Sequence, residues 1–128
     1  MINDQIEKLD VWRLSKDFCV GTYKITKLFP KEELFGITSQ LRRAVISISL
    51  NIAEGKGRYH IKEYIQFLYL ARGSAYEVNA LLTIVKELRY ISESELTEFE
   101  DKLETIIIKL NALIKSLKPK SQEPRARS

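Results

Sequence analysis

His60 and Cys19 are the only histidine and the only cysteine in the 128 residues, and together they bound the chemistry open to the chain. A Cys/His zinc site needs three or four such ligands, so one copy of the chain cannot build one. A Cys/His nucleophile pair would have to join two residues on distant helices. Paired E-x-x-H di-iron motifs need two histidines and are therefore absent. Gly55-Lys56-Gly57-Arg58 has the composition of a phosphate loop. It lacks the G-x-x-x-x-G-K-S/T spacing, however, and it follows a helical pattern where a phosphate loop follows a strand. Glu32 and Glu33 lie side by side on a connector with no partnering geometry. His60, next to Tyr59, reads as a solvated turn residue, and Cys19 as a small core hydrophobe. No catalytic residue, metal, cofactor or small-molecule substrate is expected, so the chain is read as a non-enzyme.

Charge offers a different chemistry. The net charge of +4 is uneven: Lys118, Lys120, Arg125 and Arg127 against Glu123 leave only +1 for residues 1–117. Between Gln40 and Lys62 stand Arg42, Arg43, Lys56, Arg58 and Lys62 against Glu54 alone, a local +4. Phosphate backbones bind such a field without further chemistry, and the binding weakens as salt rises. Lys56, Arg58 and Lys62 are the expected contacts, with Arg42 and Arg72 in support. Tyr59 is placed to stack on a base. The competing explanation is that these cations solubilise a helix end.

These residues must be positioned by helices, because apolar side chains recur at three- and four-residue steps almost throughout. The first helix is expected from about Leu9 to Leu28, with Val11, Leu14, Phe18, Gly21, Ile25 and Leu28 inward and Pro30 beyond its end. The second runs from about Thr38 to Glu54, capped by Thr38 or Ser39 and closed by Gly55 and Gly57 in left-handed geometry. The third runs from about Ile61 to Tyr90. The fourth opens on a Ser92–Glu95 capping box, with Glu93, Glu95, Glu98, Glu100 and Asp101 crowding its positive end. Its seam is Leu96, Phe99, Leu103, Ile106, Leu110, Leu113 and Leu117, the spacing of bundle helices. Short connections make sequential helices antiparallel neighbours. Residues 1–8 form an N-terminal segment, 9–117 the bundle, and 118–128 a polar, basic tail expected to be disordered.

Two features go beyond the core. The third helix directs Tyr64, Phe67, Leu68, Ala71, Ala75, Val78, Leu82 and Val85 inward, yet its other side holds Tyr69, Leu70, Gly73, Tyr76, Ala80, Leu81 and Ile84. A helix apolar on two faces is buried on two faces. Either the helices splay and cover that side within one chain, or a second copy packs there through Tyr69, Gly73, Tyr76, Ala80 and Ile84. The second helix carries a polar row: Gln40, Arg43, Ser47, Asn51 and Glu54. It is either a solvated face or a partly buried ladder in which Arg43 pairs with Glu77 or Glu54 and fixes register.

No run reaches the length of a membrane span, and the opening Met1-Ile2-Asn3-Asp4 has no signal-like basic or apolar segment. With one lone thiol, a cytoplasmic protein is expected.

The run from Leu28 to Ala44, LFPKEELFGITSQLRRA, is distinctive, as are Asn51-Ile52-Ala53-Glu54-Gly55, Glu63-Tyr64-Ile65-Gln66-Phe67-Leu68, Ala71-Arg72-Gly73-Ser74 and the opening Leu9-Asp10-Val11-Trp12. Over about residues 9–117 they resemble a bacterial four-helix-bundle family. Its members are encoded in intervening sequences of 23S ribosomal RNA genes and at other loci. The resemblance implies an antiparallel up-and-down four-helix bundle assembled as a homopentameric ring. It also implies kinship with the accessory variability determinant of diversity-generating retroelements. That protein associates with a reverse transcriptase and binds nucleic acid through basic surface. The pattern departs at Ser49-Leu50, where the family has proline then serine, and at His60, where a serine or threonine cap is commoner. The expected role is an oligomeric accessory protein that contacts RNA, DNA or a nucleic-acid enzyme through the basic loop. The alternative is a scaffold whose only partners are proteins, itself included.

Overall fold

The computed structural model describes residues 2–119 as five α-helices and a 3₁₀ turn, with no strand among them. These are α1 (Ile2–Glu7), α2 (Asp10–Thr26), the turn Lys31–Glu33, α3 (Ile37–Lys56), α4 (Ile61–Glu87) and α5 (Glu93–Leu117). The chain is an all-α helical bundle. α2 packs on α3, α3 on α4 and α4 on α5, while α5 returns to α2; α3 and α4 form the closest pair. The segment before Leu9 has no apolar periodicity, yet it forms α1 against α2, where Arg13 donates to the Glu7 carbonyl and the Asp10 carboxylate. Among the described residues no helix is long and apolar enough to cross a membrane. The expected tail from Lys120 onward lies outside the described residues.

α4 and α5 bury nearly the faces their spacing requires. Tyr64, Leu68, Ala71, Ala75, Val78, Leu82 and Val85 of α4 are buried, with Ile65 taking the place expected of Phe67. On α5 the seam holds from Leu96 to Leu110 and then passes to Ile114, leaving Leu113 and Leu117 half-buried. A straight helix drifts against a strict seven-residue repeat, so the later positions rotate off the seam. The Ser92–Glu95 capping box forms in both directions, at 3.0 and 2.8 Å.

α2 departs from expectation. Its buried stripe is Val11, Ser15, Phe18, Thr22 and Thr26, while Leu14, Gly21 and Ile25 are only partly covered and Leu28, past the helix end, is 81% exposed. Hydroxyl side chains tolerate burial when their own helix accepts the proton. Thr22 donates to the Phe18 carbonyl at 2.9 Å, Thr26 to the Thr22 carbonyl at 2.8 Å, and Ser15 to the Trp12 carbonyl at 2.8 Å. Ser49 then donates to Ser15 at 2.9 Å across the α2–α3 seam. Hydroxyl side chains therefore line buried positions of α2 and α3 that the expected apolar stripe did not include.

Helix ends bring the other corrections. α3 begins one residue before Thr38, with Gly36 at the N-cap position and no side-chain cap, and the buried Thr38 hydroxyl has no partner among the described residues. At its far end α3 continues through Gly55 to Lys56, and Gly57 closes it at φ −81°, right-handed. The left-handed freedom of glycine is thus unused. Gly55 is required for space: a Cβ there would meet the Phe67 Cβ at 2.9 Å, Tyr64 Cδ1 at 3.0 Å and the Tyr64 carbonyl at 3.1 Å. Left-handed closure falls instead on Arg89, φ 66°, after α4. There the Tyr90 amide donates to the Val85 carbonyl and the Arg89 amide to that of Lys86, each at 2.9 Å. This is the Schellman pattern, in which glycine usually holds the left-handed position.

Two substitutions test these assignments by urea unfolding. Gly55→Ala should cost about 1–3 kcal/mol, because both near neighbours include atoms close to backbone that cannot swing aside. Arg89→Gly should stabilise by about 0.5–1 kcal/mol, since left-handed strain of about 1–2 kcal/mol exceeds the entropy glycine adds to the unfolded chain. A neutral Gly55→Ala would remove the close-approach constraint, and a destabilising Arg89→Gly would mean the arginine side chain holds the turn.

Candidate nucleic-acid interface

The α3–α4 loop is short because the two helices are already in contact at Gly55, two residues before α3 closes. Residues 57–60 therefore turn outward from the core. Tyr59 is 92% exposed, and its ring meets the His60 ring edge-on at 4.9 Å between centroids. His60 precedes α4 in extended geometry and supplies no side-chain cap. Lys56 and Lys62 flank these rings, both exposed and neither with a hydrogen-bond or ion-pair partner among the described residues. Arg58 differs. It pairs with Glu54 at 2.7 Å and lies over the Phe67 ring at 4.7 Å, so its guanidinium is occupied in holding the loop to the bundle.

The other two expected cations lie elsewhere. Arg42 sits fourteen residues before Lys56 on α3, roughly 20 Å along the helix axis. Its Nε donates to Thr26 Oγ1 at 2.9 Å and its guanidinium covers Tyr23 at 4.7 Å, both on α2. Arg72 donates to Asn111 Oδ1 on α5 at 2.8 Å and covers Tyr69 at 4.8 Å. Guanidinium planes stack and hydrogen-bond at once, which suits them to such inter-helix joints. The five cations thus do not form one surface. Lys56, Arg58 and Lys62 share one end of the bundle, and Arg42 and Arg72 join helices. One cation was missed at that end: Lys118, just past α5, borders with Lys62 a groove of about 280 Å³ along Ile61, Ile65, Gln66 and Tyr69. Sequence position assigned it to the tail; only the return of α5 to the α4 start brings it here.

The polar row of α3 divides in two. Ser47, Asn51 and Ser74 of α4 form a half-buried cluster: Ser47 and Ser74 share a hydrogen bond of 2.8 Å, and Asn51 Nδ2 donates to Ser47 Oγ at 3.0 Å and to its carbonyl at 2.9 Å. Gln40, Arg43 and Glu54 are exposed. Gln40 donates to Glu77 at 2.7 Å, which takes the carboxylate expected for Arg43, and Arg58 takes Glu54. Arg43 is left without an ion pair among the described residues.

The outer side of α4 is not covered within the chain. Leu70, Tyr76 and Ile84 are 55, 58 and 48% exposed, Gly73 and Ala80 are open, and Tyr69 is half-buried between Arg72 and Lys118.

Cys19 is half-buried on α2, and burial pushes its thiol pKa up, away from the reactive thiolate. Among the described residues no group of three His, Cys, Asp or Glu side chains is placed to hold a metal ion. The Tyr90 hydroxyl donates to Glu33 at 2.7 Å, tying the connector to the α4–α5 turn; this bond, then burial, raises the Tyr90 pKa.

A protein of unknown function from the S23 ribosomal protein family of Bacteroides thetaiotaomicron has a similar fold, with a TM-score of 0.77 and 24% identity over 82% of this chain and 95% of that one. No curated protein matches the sequence. The model of the 23S rRNA-intervening sequence protein family matches residues 7–112, nearly the whole bundle, and the chain belongs to that family.

Proposed function

We propose that the chain is a non-enzymatic accessory protein: an antiparallel up-and-down four-helix bundle that assembles into a ring, a homopentamer by family resemblance, and contacts RNA, DNA or a nucleic-acid-processing partner through its basic end. The observation that carries the nucleic-acid role is the pair of unpartnered lysines, Lys56 and Lys62, beside Lys118 at one end of the bundle. The field of a lysine paired to a carboxylate is largely offset, whereas a free lysine can neutralise a phosphate and release the counterions condensed on the nucleic acid. Repetition of that end in a ring multiplies the field.

Assembly is supported by the open outer face of α4, where Gly73 and Ala80 allow close approach beside Tyr76 and Ile84. Charge also favours head-to-tail packing. A groove of Tyr76, Asn79, Glu100, Asp101, Glu104 and Ile107 makes the α4–α5 edge acidic, while the outer face of α3 presents unpaired Arg43 beside Leu50, 62% exposed. Unlike patches joined head-to-tail form the type of interface that gives a ring when its rotation closes.

A protein-only scaffold is the second reading, favoured by the engagement of Arg42, Arg58 and Arg72 within the fold. In that case the α4 face matters and the lysines do not.

Lys56→Glu with Lys62→Glu should lower RNA or DNA affinity at least tenfold, measured by filter binding, and flatten its salt dependence; equal retention of wild type and variant would leave the scaffold. Arg58 is excluded from the substitution because Arg58→Glu would set two carboxylates one turn apart and uncover Phe67. Ala80→Arg should reduce the mass measured by light scattering to that of a single chain with helicity intact. A wild-type protein that is monomeric at micromolar concentration ends the ring proposal.

A further inference from the structure

Resting on the nucleic-acid role above, we infer that the loop tip recognises unpaired nucleotides, with Tyr59 as a stacking platform for a single base. The fold makes no use of this ring. Tyr59 is 92% exposed, no hydrogen bond to its hydroxyl occurs among the described residues, and its one ring contact is the edge-on His60 at 82°. An edge-on neighbour steadies an aromatic ring without covering both of its faces, so one face stays open. The tip also lies between cations of the right kind. Lys56, in the last turn of α3, and Lys62, in the first turn of α4, are free point charges, while Arg58 folds back onto Phe67 and leaves the tip clear.

An open aromatic face between two phosphate-seeking lysines selects the state of the nucleic acid. In a duplex every base already stacks on its neighbours and offers the protein only edges and phosphates. In a loop, bulge or single strand a base can leave its neighbours and lie on the tyrosine, with its flanking phosphates toward the lysines. Every base has a π face, so the preference is for unpaired structure over any particular sequence.

The test is fluorescence anisotropy of the intact protein with a labelled single strand and a labelled duplex of equal length at low salt, together with a single strand carrying 2-aminopurine. Wild type should favour the single strand and quench the 2-aminopurine. Tyr59→Ala should lose roughly tenfold in single-strand affinity, together with the quenching, and leave duplex binding unchanged. Tyr59→Phe should restore both. Equal affinities for the two forms, with no effect of Tyr59→Ala, would overturn the stacking role while leaving the lysine contacts in place. Loss of both forms in Lys56→Glu/Lys62→Glu alone would say the same. Absence of binding to either oligonucleotide would overturn the stacking role and the nucleic-acid function together, as would co-sedimentation with anionic vesicles in place of oligonucleotides.

Discussion

The bundle is organised by the closeness of α3 to α4 at Gly55. There is less room than a methyl group needs between that residue and Tyr64 and Phe67, so a side chain at this position would push the two helices apart. From that point the pairing runs down the helices as Gly55 against Phe67, Ser47 against Ser74 and Gln40 against Glu77. A helix shift of one residue would rotate each of these side chains by about 100° and separate all three contacts. The register also decides what becomes surface. Because α3 and α4 touch up to the last turn, the chain between them has no core to return to, and Tyr59 and His60 are left in solvent.

The α2–α3 seam solves a different problem. Ser15, Thr22, Thr26 and Ser49 place short hydroxyl side chains on the buried faces of α2 and α3. Each hydroxyl bonds to its own helix or to the facing serine, so burial leaves these donors satisfied. Thr38, in the first turn of α3, is the exception: its hydroxyl has no partner among the described residues, at a cost comparable to a lost hydrogen bond. These positions therefore contribute little apolar area. α4 and α5, built on Leu, Val and Ile, carry more of the hydrophobic stabilisation.

What the sequence made legible follows from the range of each interaction. The capping box of α5 and its seam as far as Leu110 depend on neighbours three and four residues away, and both were readable. So was the apolar outer side of α4, where a single chain leaves Leu70, Tyr76 and Ile84 in the open. The helix-closing glycines were misread because Gly55 answers to α4, a long-range neighbour, while Arg89 takes a left-handed turn that composition would have given to glycine. The α2 stripe was misread because a pattern of apolar letters cannot register that a threonine bonded to its own backbone packs as a small hydrophobe. On the candidate surface, Arg42, Arg58 and Arg72 count in the charge tally like lysines, yet each has a partner fixed by tertiary structure.

That division between arginine and lysine bears on what the basic end can do. Arg42 spans α2 and α3, Arg58 spans the α3 end and Phe67, and Arg72 spans α4 and α5. A delocalised plane can cover a ring with its face and bond an oxygen with its edge, so it loses little when half-buried. An ammonium is more strongly hydrated and gains less from such a site. Arg42, Arg58 and Arg72 accordingly become joints of the bundle, and the lysines at positions 56 and 62 stay exposed at its end. Hydrated point charges recognise phosphate through field rather than shape. The ring of Tyr59, exposed at the loop tip between them, is a group that can add stacking to that field.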